Sequence, residues 1–227
     1  MDTLHVIAHM HSDFSTKFGI PRQSGLVSQL RSTIVFEPEY RSGEALRGLE
    51  DFSHLWLIWG FSENAAGKWS PTVRPPRLGG NARMGVFATR SPYRPNPLGL
   101  SAVVIDEISQ HPTLGAVVHV LGGDLMDGTP IYDIKPYLPF SDCLPEARGG
   151  FAAAAPGALL TVDAPLDLLE MLPAQKREAL CQVLALDPRP AYQDDPSRVY
   201  GMEFSDFDVR FRVSGDKLTV VSVVQKT

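Results

Sequence analysis

Residues 79–101, GGNARMGVFATRSPYRPNPLGLS, combine three arginines with glycines and two X-Pro pairs around one short apolar run. We refer to this stretch as the arginine segment. Proline fixes its own φ and restricts the residue before it, so RSPYRPNP has little conformational entropy left to lose. The planar, permanently charged guanidinium groups of Arg83, Arg90 and Arg94 suit phosphate or carboxylate. The pattern predicts a rigid cationic loop between two strands, the alternative being a proline-rich connection with solvated arginines.

The charge distribution favours a focused anion site over general nucleic-acid coating. The net charge is −5, yet six bases and no acid lie between residues 68 and 94. We call residues 68–94 the basic stretch; its bases are Lys68, Arg74, Arg77, Arg83, Arg90 and Arg94. The rest of the chain is therefore strongly acidic. This asymmetry is typical of an anionic-ligand site on an acidic body, although like-signed runs are often only solvated surface.

The composition is that of an ordinary globular protein. Its 227 residues are 44% hydrophobic and 21% charged, enough for one large or two small domains with a buried core. We expect no membrane association, since no apolar run approaches the roughly 18 residues of a membrane span and the N-terminal sequence lacks a basic signal-peptide region. The two cysteines, Cys143 and Cys181, have no metal-type spacing and predict reduced thiols in a cytoplasmic protein.

Short β-forming stretches separated by glycine and proline turns predict a mainly β fold, with a small barrel preferred to a sandwich. The predicted strands cover residues 4–10, 32–36, 52–61, 84–89, 100–108, 114–121 and 130–135. The strand at 52–61, FSHLWLIWGF, is apolar enough for burial on both faces. Ser42 is predicted to cap a short helix over residues 43–49.

Residues 122–137, GGDLMDGTPIYDIKPY, form a second chemically dense stretch. Asp124, Asp127 and Asp133 lie close together in sequence, and they either cap turns or bind a cation or sugar hydroxyls. His9 and His11 share a strand face, but no third ligand has suitable spacing, so we predict no metal site.

The last third of the chain predicts a separate small α+β domain. Residues 145–165 shift to alanine, glycine and proline, as in a linker or an ordered excursion. A helix is predicted from Pro173 to Ala185, followed by a hairpin of strands at 208–213 and 218–224. We therefore divide the chain into an N-terminal β domain (1–144), this linker or excursion (145–165) and a C-terminal domain (166–227).

Five segments of the sequence resemble the TsaA/YaeB/TrmO family of tRNA methyltransferases. They are PRQSGLV, RGLEDFSHLWLIW, PTVRPPRLGGNARMGVFATRSPYRPNPLGLS, DLMDGTPIYDIKPYLPF and DPRPAY, spread over residues 21–192. The resemblance implies a single-sheeted β-barrel catalytic domain, a small C-terminal domain and a homodimer that binds S-adenosylmethionine near its interface. It also implies N6-methylation of threonylcarbamoyl-adenosine beside the tRNA anticodon. The family usually has Gly where Ala8 stands, and the stretch after Asp142 and the last hairpin resemble it only loosely.

The resemblance also implies which residues contact each ligand. The implied cofactor contacts are Gln23, Ser24, Gly25, Phe61, Ser62, Arg90, Leu100, Leu121, Gly122, Gly123 and Asp124, where Ser24 and Ser62 match by position at sites that vary in the family. The implied tRNA contacts of the C-terminal domain are Arg189, Tyr192, Asp208 and Arg210.

The residues themselves agree with this cofactor. Arg90 suits its carboxylate, Asp124 its amine or ribose, and Phe61 the face of its adenine. No GxGxxG pattern follows a predicted strand, so a doubly wound methyltransferase fold is disfavoured and loops must hold the cofactor. Asp127 and Asp133, with His54 third, are candidate bases for the N6 proton. Arg94 and Asn96 are candidates for the threonyl carboxylate.

Two other classes of function stay open at this point. One is a non-catalytic module that binds phosphate, RNA or peptide carboxylates through the arginine segment, and the other is a methyltransferase of the same fold with a different acceptor. A hydrolase is disfavoured because the chain has no GxSxG elbow, no HExxH motif and no plausible nucleophilic cysteine. The sequence leaves open the base, the tRNA species, the dimer contacts and the roles of Lys135 and Tyr137.

Overall fold

The computed structural model describes residues 4–63, 69–154, 157–190 and 195–226. Lys68 and Tyr192, both named above, lie outside the described residues. The strands are β1 (Ala8–His11), β2 (Arg31–Phe36), β3 (His54–Gly60), β4 (Thr72–Val73), β5 (Met84–Gly85), β6 (Leu98–His111), β7 (Gly115–Leu121), β8 (Pro130–Pro136), β9 (Thr161–Asp163), β10 (Tyr200–Phe204), β11 (Phe207–Ser214) and β12 (Lys217–Gln225). The α-helices are α1 (Pro139–Asp142), α2 (Leu166–Leu169) and α3 (Ala174–Ala185). The predicted mainly β fold is confirmed.

Six strands form one antiparallel sheet in the order β1-β2-β7-β6-β3-β8. The first and last strands of this order also pair, with Ala8 opposite Ile131, so the sheet closes on itself. Because side chains alternate along a strand, one face of each strand points into the enclosed core. On β3, Leu55 and Leu57 are fully buried while Trp56 is only partly buried, so the expected burial of this strand on both faces is wrong.

The structure corrects two local expectations. Only Met84–Gly85 of the predicted strand at 84–89 is extended, and Val86–Ala88 forms a 3-10 turn. The hydroxyl of Thr89 donates to the Val86 carbonyl at 2.8 Å, which closes this turn. Ser42 makes no side-chain capping hydrogen bond, and two short 3-10 turns replace the predicted helix, separated by Gly48 at φ 85°.

A second sheet has the order β10-β11-β12-β9, with β9 parallel to β12. Its core packs apolar residues of α3, such as Leu180 and Leu184, against Phe204 and Phe211. β9 lies inside residues 145–165, the stretch expected to be a linker or an ordered excursion, and it pairs with β12 of the second sheet. Among the described residues, no helix is both long and apolar enough to cross a membrane.

The loop between β1 and β2 joins the two sheets. Phe14 is buried in the core of the second sheet, with its ring centroid 5.8 Å from that of Phe204. The Asp13 carbonyl accepts a hydrogen bond from the Ser205 amide at 2.7 Å, and its carboxylate pairs with Lys176. The C-terminal unit thereby anchors the loop that carries Gln23.

Candidate active site

A cavity of about 490 Å³ opens beside the ends of β3 and β6. We call it the first cavity. Its described lining comes from within five segments, residues 17–23, 59–63, 89–94, 98–100 and 124–129. The β1–β2 loop, two strand ends, the arginine segment and the turn before β8 therefore meet at one place, and residues far apart in sequence share one site.

Six of the implied cofactor contacts line the first cavity: Gln23, Phe61, Ser62, Arg90, Leu100 and Asp124. The other implied contacts, Ser24, Gly25, Leu121, Gly122 and Gly123, are not among the described lining residues. Several of them hold the site together. The Gly25 amide donates to the Gly122 carbonyl at 2.8 Å. Gly122 has φ 79°, a backbone conformation that favours glycine, and a Cβ there would lie 3.3 Å from the Gly25 Cα.

The indole ring of Trp59 packs against the backbone of Gly99 and forms the floor of the first cavity. Trp59 on β3 is opposite Gly99 on β6, and a Cβ on Gly99 would lie only 2.2 Å from the indole ring. The rings of Trp59 and Phe61 are 4.5 Å apart between centroids. Glycine at position 99 therefore makes room for the indole that forms the floor.

A short hydrogen-bond chain runs from this floor to Asp124. The indole N–H of Trp59 donates to Ser101 Oγ at 3.0 Å, and Ser101 Oγ is 2.6 Å from Asp124 Oδ1. Indole is only a donor, so the single hydroxyl proton of Ser101 is left to donate to Asp124. The chain therefore fixes the orientation of the Asp124 carboxyl group within the cavity.

Asp124 is partly withdrawn from water. Burial raises the pKa of its carboxyl group above the ordinary value, while hydrogen bonds from Ser101 and the Ser24 amide and the charge of Arg90 oppose that rise. A desolvated carboxylate gains most from a positively charged or hydrogen-bond-donating ligand, because such a ligand replaces the lost hydration.

The arginines of the cavity have different roles. Arg90 hydrogen-bonds through Nη1 to Gln23 Oε1, which ties the arginine segment to the β1–β2 loop. Arg94 Nη1 donates to the carbonyl oxygens of Val86 and Thr89, at 3.2 and 2.6 Å, and so braces its own segment. Both line the cavity and give this wall positive charge.

The family model described as the tRNA-methyltransferase O N-terminal domain matches residues 9–143, and the TrmO C-terminal domain matches residues 162–226. The chain belongs to the TrmO family. The tRNA (adenine(37)-N6)-methyltransferase of Escherichia coli K12 is 45% identical over 217 residues, covering 92% of each chain. That of Eikenella corrodens is 49% identical over 174 residues, covering 76% of this chain and 97% of its own.

A solved structure agrees with this assignment. The crystal structure of TrmO from Pseudomonas aeruginosa superimposes with a TM-score of 0.82 at 32% identity, covering 99% of this chain and 98% of that one. The family predicted from the sequence is therefore confirmed, and the similarity extends over both units of the fold.

The three candidate bases, Asp127, Asp133 and His54, lie outside the described lining of the first cavity. Asp127 follows the lining residue Met126, and its Oδ1 accepts the Ser12 amide at 3.1 Å and lies 3.3 Å from His11 Nδ1. Asp133 pairs with Lys135 at 2.8 Å. His54 lies at the opposite end of β3 from the cavity, with its ring 6.1 Å from that of Tyr137.

The candidate tRNA contacts are distributed over two regions. Arg94 lines the first cavity, and Asn96 lines a neighbouring one. In the C-terminal unit, Arg189 is largely buried and pairs with Asp187 at 2.8 Å. Asp208 and Arg210 form an ion pair at 3.0 Å on the exposed surface. Tyr192 falls outside the described residues, so its prediction has no structural counterpart here.

Sequence reasoning missed several lining residues of the first cavity, including Trp59, Glu63, Thr89, Met126 and Thr129. The i, i+2 spacing of Trp59, Phe61 and Glu63 was a usable signal, because it continues one strand face into the following turn. Within the part of the chain that is described, no three His, Cys, Asp or Glu side chains converge as a metal site requires.

Proposed function

We propose that this protein uses S-adenosylmethionine to methylate N6 of adenosine 37 in tRNA, and that its acceptor is the threonylcarbamoyl form of that base. The observation that carries the proposal is the convergence of Gln23, Phe61, Ser62, Arg90, Leu100 and Asp124 on one cavity. The similarity to the tRNA (adenine(37)-N6)-methyltransferase of Escherichia coli supports the reaction. The closed ring of six strands supports the single-sheeted β-barrel implied for the catalytic domain.

The first cavity fits the proposed cofactor in size and chemistry. Its volume of about 490 Å³ is typical of small-molecule sites, which span roughly 300–1,000 Å³. Arg90 would hold the carboxylate and Asp124 the amine or a ribose hydroxyl, while Phe61 and Leu100 would cover the adenine. The carboxylates of Asp124 and Glu63 also favour a ligand that carries a positively charged group.

Bound there, S-adenosylmethionine supplies an electrophilic methyl group on a sulfonium. Transfer would exchange the methyl carbon–sulfur bond for a carbon–N6 bond, leave a neutral thioether and release the N6 proton. The chain contributes by holding the two reactants in line, since orientation alone is worth several kcal/mol of the barrier, roughly 7–11 at its upper range. The Trp59–Ser101–Asp124 chain and the Phe61 wall would set that orientation.

The N6 proton needs an acceptor, because N6 in the threonylcarbamoyl base is urea-like and its lone pair is delocalised. We place Asp127 ahead of Asp133 and His54, since Asp127 alone of the three directly follows a described lining residue of the first cavity, Met126. An Asp127→Asn variant that kept full turnover and cofactor affinity would remove this role.

Affinity for tRNA would come from the exposed arginines, because the whole molecule is acidic. Arg74 and Arg83 of the basic stretch and Arg210 and Arg212 of the C-terminal sheet are exposed. Contacts from such side chains to phosphates predict affinity that falls steeply with salt. We also propose the homodimer that the sequence resemblance implies, which sedimentation velocity tests directly.

The deciding assay is transfer of labelled methyl groups to two tRNA pools, one carrying the threonylcarbamoyl group and one lacking it. Label in the modified pool alone is the expected result. Label in neither pool, with cofactor bound, would favour a methyltransferase of another acceptor. Absence of cofactor binding would favour the non-catalytic binding module.

A further inference from the structure

A second cavity, of about 410 Å³, adjoins the first. The two share Gly60, Phe61, Ser62 and Leu98 as lining residues. The Phe61 amide donates to the Pro97 carbonyl at 3.0 Å, which fixes this shared wall to the end of the arginine segment. A reaction between two bound molecules requires neighbouring sites, and these two cavities meet the requirement.

The second cavity has a different chemistry from the first. Its described lining outside the shared wall consists of Leu4, Asn96, Pro97, Pro130 and Tyr132. None of these described residues is charged, so the lining suits a neutral group. Phe61 and Tyr132 offer ring faces, and Asn96 offers an amide with both a donor and an acceptor.

We propose that the second cavity is the nucleobase pocket, in which the target adenine is held outside the anticodon-loop stack. Unstacked RNA bases are held against aromatic side chains and recognised at their edges, and the N–H group of an asparagine amide can donate to a ring nitrogen of the base. Enzymes that act on a base generally withdraw it from its stack into such a pocket. The choice of adenine as ligand rests on the function proposed above.

The surroundings fit a base delivered from an anionic strand. Arg94 lies two residues before Asn96 and lines the first cavity, so an anionic substituent on the base has a guanidinium beside the pocket. Arg83 and Arg74, farther along the basic stretch, are exposed for backbone phosphates. The described lining of the second cavity is uncharged, whereas these three residues of the basic stretch are cationic.

Gly60 connects the shared wall to Tyr132. A Cβ on Gly60 would lie 2.6 Å from the Tyr132 hydroxyl oxygen, so the tyrosine packs directly on the strand backbone. This contact sets the position of the ring within the second cavity. Tyr132 does not belong to the described lining of the first cavity, so its substitution separates the two sites.

The test uses an anticodon stem-loop with 2-aminopurine at position 37, whose fluorescence reports base unstacking without any methyl transfer. Binding to the parent chain is expected to change the fluorescence, and Tyr132→Ala and Asn96→Ala are expected to abolish the change at saturating protein. Tyr132→Ala is expected to lower kcat/KM for tRNA by at least about 10-fold, the size of one lost base–aromatic stack. Asn96→Ala is expected to lower it by about 2- to 10-fold, the size of one lost neutral hydrogen bond. The affinity of both variants for S-adenosylmethionine is expected to stay within about twofold of the parent value.

Tyr137→Phe is the matched control, since Tyr137 follows the same strand, β8, but packs against Trp56. It is expected to behave as the parent in all three measurements. An unchanged fluorescence signal with the parent chain would overturn the nucleobase pocket. Equal loss of cofactor affinity in Tyr132→Ala would overturn it too, by assigning the cavity to the cofactor. A fluorescence change without label transfer would refute only the proposed reaction.

Discussion

The first cavity has two walls of different construction. The strand-built wall holds Trp59 on β3 and Gly99 on β6, which are paired by register, and Ser101 of β6 joins it by hydrogen bonds to Asp124 in the turn before β8. The loop-built wall holds Arg90 and its neighbours in residues 89–94, anchored by a few hydrogen bonds. Groups on strands keep their positions better than groups on loops. We infer that the strand-built wall orients the cofactor, whereas the loop-built wall attracts and holds anions.

The largest effect is expected from breaking the floor of the strand-built wall. Gly99→Val places carbon atoms where the Trp59 ring lies, since even a Cβ would come within 2.2 Å of it. Overpacking of this kind lowers the free energy of unfolding by about 1–3 kcal/mol. Methyl transfer is expected to fall by more than about 100-fold, because the Trp59–Ser101–Asp124 chain is broken as well. Thermal unfolding and single-turnover transfer measure the two effects.

Gly85→Ala is the matched control for this variant. A Cβ on Gly85 meets nothing within 4 Å, although the residue lies in the arginine segment. Its stability and activity are expected to match those of the parent. If Gly99→Val retained parental activity, the packing of the Trp59 ring on Gly99 would have no functional role.

Asp124→Asn is expected to affect cofactor affinity and the free energy of unfolding differently. The amide keeps an oxygen that can accept from Ser101 but loses the charge that a cationic ligand needs. A hydrogen bond to a charged group is worth about 1.5–3 kcal/mol, so cofactor affinity is expected to fall about 10- to 100-fold. The free energy of unfolding of the unliganded protein is expected to stay equal or rise, because burial opposes the charged form.

Titration calorimetry and denaturant unfolding measure these two quantities. Asp216→Asn, an exposed substitution in the β11–β12 turn, is the control for charge removal. An Asp124→Asn protein with parental cofactor affinity would contradict the assigned role of this carboxylate.

The pH dependence of cofactor binding sharpens the same point. Burial raises the pKa of Asp124, so the stability due to this shift is complete below the ordinary aspartate pKa and is lost as the pH rises through the raised value. Affinity for a cationic ligand has the opposite pH dependence and falls as the pH is lowered. Because the pKa of Asp124 is raised, this fall occurs at a higher pH than it would for an ordinary aspartate. The hydrogen bond from Ser101 lowers the pKa of Asp124. Ser101→Ala removes this bond and is therefore expected to shift the loss of ligand affinity to still higher pH. Calorimetry across pH measures it, and Asp124→Asn is expected to show no such fall.

The smallest effect is expected from single arginines of the loop-built side that do not line the cavity. Arg83→Ala is expected to weaken tRNA binding severalfold at low salt, and to reduce the slope of log affinity against log salt by about one unit. Cofactor affinity is expected to be unchanged. Arg47→Ala, which removes an exposed arginine paired with Glu44, is the control. An unchanged salt slope would place the phosphate contacts elsewhere.

The same contrast explains what the sequence could predict. Arg90, Asp124 and Phe61 belong to recognisable segments, so their association with one site could be predicted. The Trp59–Ser101–Asp124 chain could not, because it depends on the register that sets Trp59 opposite Gly99. Registers between strands distant in sequence are fixed by packing and turn geometry, which a single sequence shows poorly.

Two secondary-structure errors have related causes. The run at 84–88 is apolar, a pattern typical of a strand. It lies in the arginine segment, however, where Arg94 donates a hydrogen bond to the Val86 carbonyl. The strand β10 was not predicted, although Tyr200, Met202 and Phe204 alternate with less buried residues, because Gly201 and Glu203 are weak strand formers. Pairing with β11 provides the tertiary contacts that stabilise it.

The most direct test of the central claim is a crystal structure with S-adenosylhomocysteine. We expect the ligand in the first cavity, with its carboxylate at Arg90, a donor group at Asp124 and its adenine against Phe61. The second cavity is predicted to stay open beside the sulfur. A ligand bound in the second cavity, or away from the Trp59–Ser101–Asp124 chain, would contradict both the assignment of the two walls and the proposed function.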